Sequence, residues 1–295
     1  MEIVNTFISD PGVKIPEYTA YSLKKLRENN PGVPITFISN TGHGFDAVFK
    51  KYDVEWADQT SLNSFYLESF HSLSNLDRHG TPDTKYPSPP KFFERALERI
   101  FMLQAYMVKH KSEEVWHTEN DVLTYYPLDS IKLYCEFSDN PSIYVTSMGP
   151  TISTFAIAHF CMHKAITELC AKFLEYLWMG DNKFLNLTGA DMLNEMTMLK
   201  QAKSDVYIDE LDTCRKWGDS EYFFDPGSYG QYLGGTNNHD HGPGYAGNHH
   251  YIGALINQGK LTATFENGKP YAHLEGKKYP LFNLHVHSKN LKDFV

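Results

Sequence analysis

Apolar and polar positions along the chain change period several times, and each change marks an element. Ile3 to Ser9 is a short apolar-rich run bounded by polar residues, which predicts a buried strand. Pro16 sits where the first turn of a helix tolerates it, and Glu17 to Arg27 follows with helical spacing until Asn29-Asn30-Pro31-Gly32 stops it. A second strand runs from Pro34 to Ser39, so the opening is a βαβ unit, whose two strands lie parallel. Phe45 to Tyr52 and Val54 to Trp56 repeat the pattern on a smaller scale. Ser72 to Pro90 then loses all period and carries Gly80, Pro82, Pro87, Pro89 and Pro90, the composition of a long surface excursion over a site. Phe92 to Lys111 returns as an amphipathic helix with Phe93, Leu97, Ile100, Leu103 and Met107 in its stripe. Arg95 and Arg99 fall on its polar side, where spacing alone predicts a solvated face.

Beyond the middle of the chain, Ser142 to Thr146 reads as a strand and Ser153 to Trp178 as a helical region in which His159 and His163 pack as core histidines. Asp191 to Lys203 has Met192, Met196 and Leu199 at helical spacing, a further helix with methionine filling. Phe223 to Asn257 changes character and becomes rich in Gly, Asn and His, the residues of tight turns and loop-built pockets. Leu261 to Glu266 and Pro270 to Leu274 flank Asn267-Gly268, a hairpin signal, and Leu281 to Lys289 is a last strand with a polar end. The chain has no G-x-G-x-x-G, P-loop or G-x-S-x-G.

Chemistry concentrates in Glu114 to Leu128, where Glu119 and Asp121 stand one residue apart between two β-prone runs. At strand spacing they face one side, and two carboxylates at a strand end suit a hard divalent cation with positions left for phosphate oxygens. The competing reading is a pair of acidic residues that starts a turn after a buried strand. His285 and His287 share a side if the last strand stays extended, with Lys289 just beyond. His239, His241, His249 and His250 could instead collect a transition metal, although their spacing matches no zinc pattern.

Composition narrows the classes. The chain has 295 residues, 41% of them hydrophobic, ample for one large domain with a core. A formal charge of −9 argues against a nucleic-acid partner. Four scattered cysteines, Cys135, Cys161, Cys170 and Cys214, lack C-x-x-C spacing and read as reduced core thiols. The start lacks the basic and apolar regions of a secretion signal, and Thr151 to Met179 is too interrupted by charge to span a bilayer. The expectation is a cytoplasmic protein with no membrane span.

His117-Thr118-Glu119-Asn120-Asp121-Val122 and the tail Leu284-His285-Val286-His287-Ser288-Lys289, together with the βαβ start and the helix arginine, carry a resemblance. The sequence resembles metal-dependent nucleotide-sugar glycosyltransferases of the GT-A type, in particular microbial and large DNA virus members with a His-x-Glu-Asn-Asp-Val stretch. The resemblance runs from the first strand to near the C-terminus. It implies a Rossmann-type α/β/α sandwich on a mixed, mainly parallel sheet with a loop-rich C-terminal portion. It also implies a single catalytic domain, with residues 1–130 for the donor and 131–295 for the acceptor.

The same resemblance implies that Asp121, with Glu119 replacing the first Asp of the usual Asp-x-Asp, holds Mn²⁺ or Mg²⁺ against the donor diphosphate. His285, in preference to His287, completes that shell, and Lys289 touches the phosphates. Arg99 resembles the arginine that contacts the nucleotide sugar, Asn120, within the motif, is a further donor-binding candidate, and Ser9 and Asn40 sit where base and ribose lie. A UDP- or GDP-sugar donor and a glycan or glycoprotein acceptor follow, for a hexosyl- or pentosyltransferase. An inverting reaction needs a base, for which Glu195 and Asp225 are the candidates; a retaining one does not. Two other classes stay open: a metal-dependent hydrolase using Asp121 with the His-rich loop, and a noncatalytic carbohydrate-binding protein.

Overall fold

The computed structural model describes residues 1–73, 92–131, 142–149, 153–180, 183–184, 186, 194–214, 222–236, 241–247 and 251–295. The elements in chain order begin with β1 (Glu2–Phe7), α1 (Thr19–Asn29), β2 (Ile35–Ser39), α2 (Asp46–Tyr52), β3 (Glu55–Asp58), α3 (Phe65–Leu73) and α4 (Phe92–His110). The centre holds β4 (Glu114–Glu119), β5 (Val122–Thr124), β6 (Ser142–Ser147), β7 (Ser153–Cys161), α5 (His163–Met179), α6 (Glu195–Ala202) and β8 (Ile208–Leu211). The last part holds α7 (Ser228–Gly234), α8 (Tyr251–Asn257), β9 (Leu261–Glu266), β10 (Lys269–Leu274), β11 (Lys277–Pro280) and β12 (Asn283–His285).

Seven strands form the central sheet in the order β3-β2-β1-β4-β7-β6-β8. β1, β2, β3 and β4 pair in parallel, β7 runs antiparallel between β4 and β6, and β8 is parallel to β6. Six of the seven strands therefore point one way, and their C-terminal ends share one edge. Alternation along each strand splits the core. Ile3, Phe37 and Trp116 face α1 and α2, where they pack on Leu23, Leu26 and Phe49. Val4, Ile38 and Val115 face α3, α4 and α5, where they meet Phe70, Leu97, Leu103 and Leu169. The fold class is thus the expected α/β/α sandwich on a mixed, mainly parallel sheet.

The predicted βαβ opening and the Phe92 to Lys111 helix are all present. Leu97, Ile100, Leu103 and Met107 are completely buried, each worth about 1.5–3 kcal/mol of transfer free energy. Two expectations fail: His163 is exposed and pairs with Glu113 at 3.2 Å instead of packing in the core as His159 does, and Ser153 to Cys161 is a strand, not the first half of a helix. β7 is covered on both faces, so its apolar run has no alternation to distinguish it from a buried helix. Its end is marked by Met162 at φ 67, after which α5 begins. The Asn267-Gly268 hairpin joins β9 and β10, and β11 adds a third strand to that sheet. The predicted excursion over Ser72 to Pro90 lies, beyond its first two residues, outside the described residues, as do Asp191, Met192 and most of the His-rich stretch. No helix among the described residues is long and apolar enough to cross a membrane.

Candidate active site

Charged side chains cluster where β4 ends. Glu119 is the last residue of β4, and a turn carries the chain through Asn120 and Asp121 into β5. β5 pairs antiparallel with β12 so that His285 stands opposite Val122, and the Val286 N–H donates to the Asp121 carbonyl at 3.0 Å. A segment far away in sequence is thereby stitched beside the acidic pair. Glu119, Asp121 and His285 each place a ligand atom within 4.8 Å of the other two. His285 Nε2 lies 3.4 Å from Glu119 Oε2 and 3.3 Å from Asp121 Oδ2. Donors held at right angles around an ion with bonds near 2.2 Å stand about 3 Å apart, so this spacing fits a divalent cation. Two carboxylates with one imidazole suit Mn²⁺ better than Mg²⁺, which favours oxygen alone.

Cations already surround this cluster. Lys289 forms an ion pair with Asp121 Oδ2 and passes 5.8 Å from the centre of the Tyr18 ring. Burial opposes ionisation of Asp121, yet Lys289 and His285 hold its carboxyl well below the usual range. On the other side, Arg99 from α4 reaches Glu119 Oε1 at 2.7 Å with one amine and both oxygens of Glu195 at 2.8 and 3.0 Å with the other. Arg99 is only 13% exposed, so the solvated face expected from spacing is not what forms. Arg95, one turn earlier on the same face, pairs with Asp10 and Glu98. Arg99 takes Glu119 Oε1 and leaves Oε2 turned towards His285, 3.4 Å away.

Glu195 opens α6 behind a capping box formed by Asn194 and Thr197. Burial raises its carboxyl to about 7, with Arg99 working in the opposite direction. Below the cluster, His117 on β4 is fully buried: its Nδ1–H donates to the Phe155 carbonyl at 2.9 Å, so Nε2 accepts from the Thr6 hydroxyl at 2.9 Å. Burial, then the neighbouring Arg99, depress His117 well below its ordinary pKa, leaving a neutral strut under the carboxylates. Asn120 turns away from the cluster and donates to Thr19 Oγ1 at 3.0 Å, tying the turn to α1.

Asp225 is placed differently from a base in a cleft. It is completely buried, and its carboxylate accepts four backbone N–H bonds, from Gly227, Tyr229, Gly230 and His285, at 2.8 to 2.9 Å. Burial raises its pKa, and these donors oppose the rise. Asn283 answers the Asp225 backbone in both directions at 3.0 and 3.1 Å. The residue thus clamps α7 to β12 and fixes His285. Gly230 allows the approach, because a Cβ there would run into the His285 carbonyl oxygen. His287 lies against His285, ring centres 4.3 Å apart, with its Nδ1 3.2 Å from the Gln231 amide.

Ser9 and Asn40 come together at the C-terminal ends of β1 and β2, the Asn40 amide donating to the Ser9 carbonyl at 3.1 Å. Gln59 joins them through a 3.2 Å bond to the same carbonyl, a residue the pattern of the sequence offered no reason to single out. Ser9 Oγ, Asn40 Oδ1 and Gln59 Oε1 are buried without hydrogen-bond partners. Buried polar atoms are rarely left so, and three at one sheet edge are suited to a polar ligand. Of the His-rich alternative, His241 lies against Tyr245 with ring centres 4.0 Å apart, while His239, His249 and His250 lie outside the described residues. Glu119, Asp121 and His285 form the one metal-ligand grouping found among the described residues.

No family model matches the chain, and no curated protein does. The solved structures to which it is similar include glycosyltransferases. One is the apo form of mouse xyloside xylosyltransferase 1, at 10% identity over 72% of this chain and 84% of that one, with a TM-score of 0.43. Another is an active-site mutant of LgtC, at 12% identity over 76% and 75%, with a TM-score of 0.43. A cytidylyltransferase from Leptospira borgpetersenii is similar too, at 8% identity over 75% and 79%, with a TM-score of 0.40. Likeness at this level carries no conclusion about activity, which rests on the side chains of the site.

Proposed function

We propose that this protein is a metal-dependent glycosyltransferase that moves a sugar from a nucleoside-diphosphate donor to a hydroxyl of a glycan or glycoprotein. The observation that carries the reading is the convergence of Glu119 Oε2, Asp121 and His285 at ligand spacing with Lys289 on the same carboxylate. Glu119, Asp121 and His285 would hold the cation, which supplies positive charge against the departing diphosphate. Lys289 adds a second positive charge there, at the point where the breaking bond deposits negative charge. Arg99 orients Glu119, while Asp225 and Asn283 orient His285 from beneath. Ser9, Asn40 and Gln59 take the polar edges of the nucleoside, their orphaned oxygens accepting its donors.

The acceptor side belongs to the second half of the sheet. A cavity of about 190 Å³ lined by Ser147, Met148, Glu210, Asp212, Thr213 and Tyr251 opens at the ends of β6 and β8. Two to three strand spacings, about 10–15 Å, separate it from the end of β4. That distance suits an acceptor of more than one sugar unit, with hydroxyl-binding carboxylates and an aromatic face at its far end. For an inverting reaction Glu195 is the base: burial raises its carboxyl to about 7, near neutral working pH, whereas both oxygens of Asp225 are filled by four backbone donors.

The test is a thermal-shift screen with UDP and GDP, with and without Mn²⁺, on the wild type and Asp121→Asn. Stabilisation that needs nucleotide and metal together, and is lost in the variant, supports the reading. Stabilisation by Zn²⁺ alone would replace it with the hydrolase.

A further inference from the structure

Lys289 is bonded to the oxygen that a divalent cation at this site would need. Its ammonium pairs with Asp121 Oδ2, the atom that also lies 3.3 Å from His285 Nε2. The backbone that carries it is fixed on both sides. Upstream, Lys289 N–H donates to the Val286 carbonyl at 3.0 Å, and Val286 is itself bonded to Asp121. Downstream, Leu291 and Phe294 are buried, and the Tyr125 hydroxyl donates to the Phe294 carbonyl at 3.0 Å. The lysine sits at φ 63, held in the left-handed region between these anchors. Only its flexible four-carbon stem is free to move, and the side chain is 40% exposed.

We infer that Lys289 is a built-in counter-cation that competes with the divalent metal for Asp121 and couples metal binding to diphosphate binding. This rests on the glycosyltransferase reading only for the identity of the two ligands. Asp121 is 3% exposed, and a carboxylate so buried is costly without a positive partner. Lys289 supplies that partner when no metal is bound. A divalent cation on Asp121 repels the ammonium, which then needs another anion within reach of its stem, and the diphosphate is that anion. Each ligand therefore improves the site for the other, and the coupling is reciprocal. A lysine held away from Asp121 would lower metal affinity in the absence of nucleotide only through longer-range, solvent-screened repulsion.

The experiment titrates Mn²⁺ into the full chain, following free Mn²⁺ by electron paramagnetic resonance. It uses wild type, Lys289→Gln and Lys289→Arg, first alone and then with saturating UDP or GDP. Lys289→Gln is expected to bind Mn²⁺ alone at least about fivefold more tightly than wild type, the lower end of typical coupling. The improvement that nucleotide gives to Mn²⁺ affinity should shrink by a similar factor. Lys289→Arg keeps the charge and should restore weak metal-alone binding, which separates the effect from misfolding. Equal Mn²⁺ affinity in wild type and Lys289→Gln, or weaker binding in the variant, overturns the exchange while leaving the metal site standing. Absence of Mn²⁺ binding in all three proteins overturns both.

Discussion

Replacing Asp225 by Asn would separate a clamp from a base. The carboxylate divides four backbone N–H bonds evenly, Gly227 and Tyr229 on Oδ1, Gly230 and His285 on Oδ2. Asn keeps one accepting oxygen and presents an NH₂ to the other two donors, so two charge-assisted bonds are lost and four hydrogens face one another. A hydrogen bond to a charged group contributes about 1.5–3 kcal/mol, so the expected destabilisation is about 3–6 kcal/mol. Whole-domain stabilities are about 5–15 kcal/mol, so the variant stands near the limit of folding. Urea unfolding at neutral pH, followed by circular dichroism, measures the difference directly. Where the NH₂ takes the place of Oδ2, the lost donors include the His285 N–H, and the folded fraction then also binds Mn²⁺ more weakly. A variant that is destabilised by less than about 1 kcal/mol but has lost turnover would refute the argument and restore Asp225 as the proton acceptor.

Two further outcomes follow from the other side of the site. Glu195 binds its proton more tightly in the folded chain, at about 7, than in the unfolded one, near 4.5, so stability falls as pH rises through that window. Thermal melts of the wild type from pH 5 to 8 should show this decline, worth up to about 3 kcal/mol, and Glu195→Gln should flatten it. If Glu195 is the base, turnover rises through the same pH range and the variant loses it; a flat profile in the wild type would remove the assignment. Arg99→Lys replaces a fork that bridges Glu119 and Glu195 by a single ammonium, and kcat/KM should fall about 10–100-fold. Retention of full Mn²⁺ affinity and activity by that variant would show that Glu119 needs no orienting partner.

How far the sequence revealed this depends on the range of the interactions involved. The βαβ opening and the α4 stripe were legible because propensity, stop signals and periodicity agree within a dozen residues. β7 was not, because a strand buried on both faces and a buried helix share one pattern, and only its pairing with β4 and β6 decides between them. Glu119 and Asp121 could be found by residue type and spacing. Arg99 was legible as a candidate from the resemblance alone; as a polar position on an amphipathic helix it read as solvated. Gln59 carried no signal, since what brings it to Ser9 is the convergence of three strand ends.

Asp225 shows why residue type identifies a site more reliably than it assigns roles within it. A carboxylate opening a Gly-rich loop has two futures: it can face substrate, or it can gather the N–H groups that such a loop turns inwards. Gly227 at φ 109 and the close approach at Gly230 bring those groups within reach, and the second future takes all four of its strong acceptor positions. The same glycines that suggested a substrate pocket are therefore what remove Asp225 from it. Its link to the candidate metal site is the His285 N–H, so the geometry of that site depends on a completely buried residue.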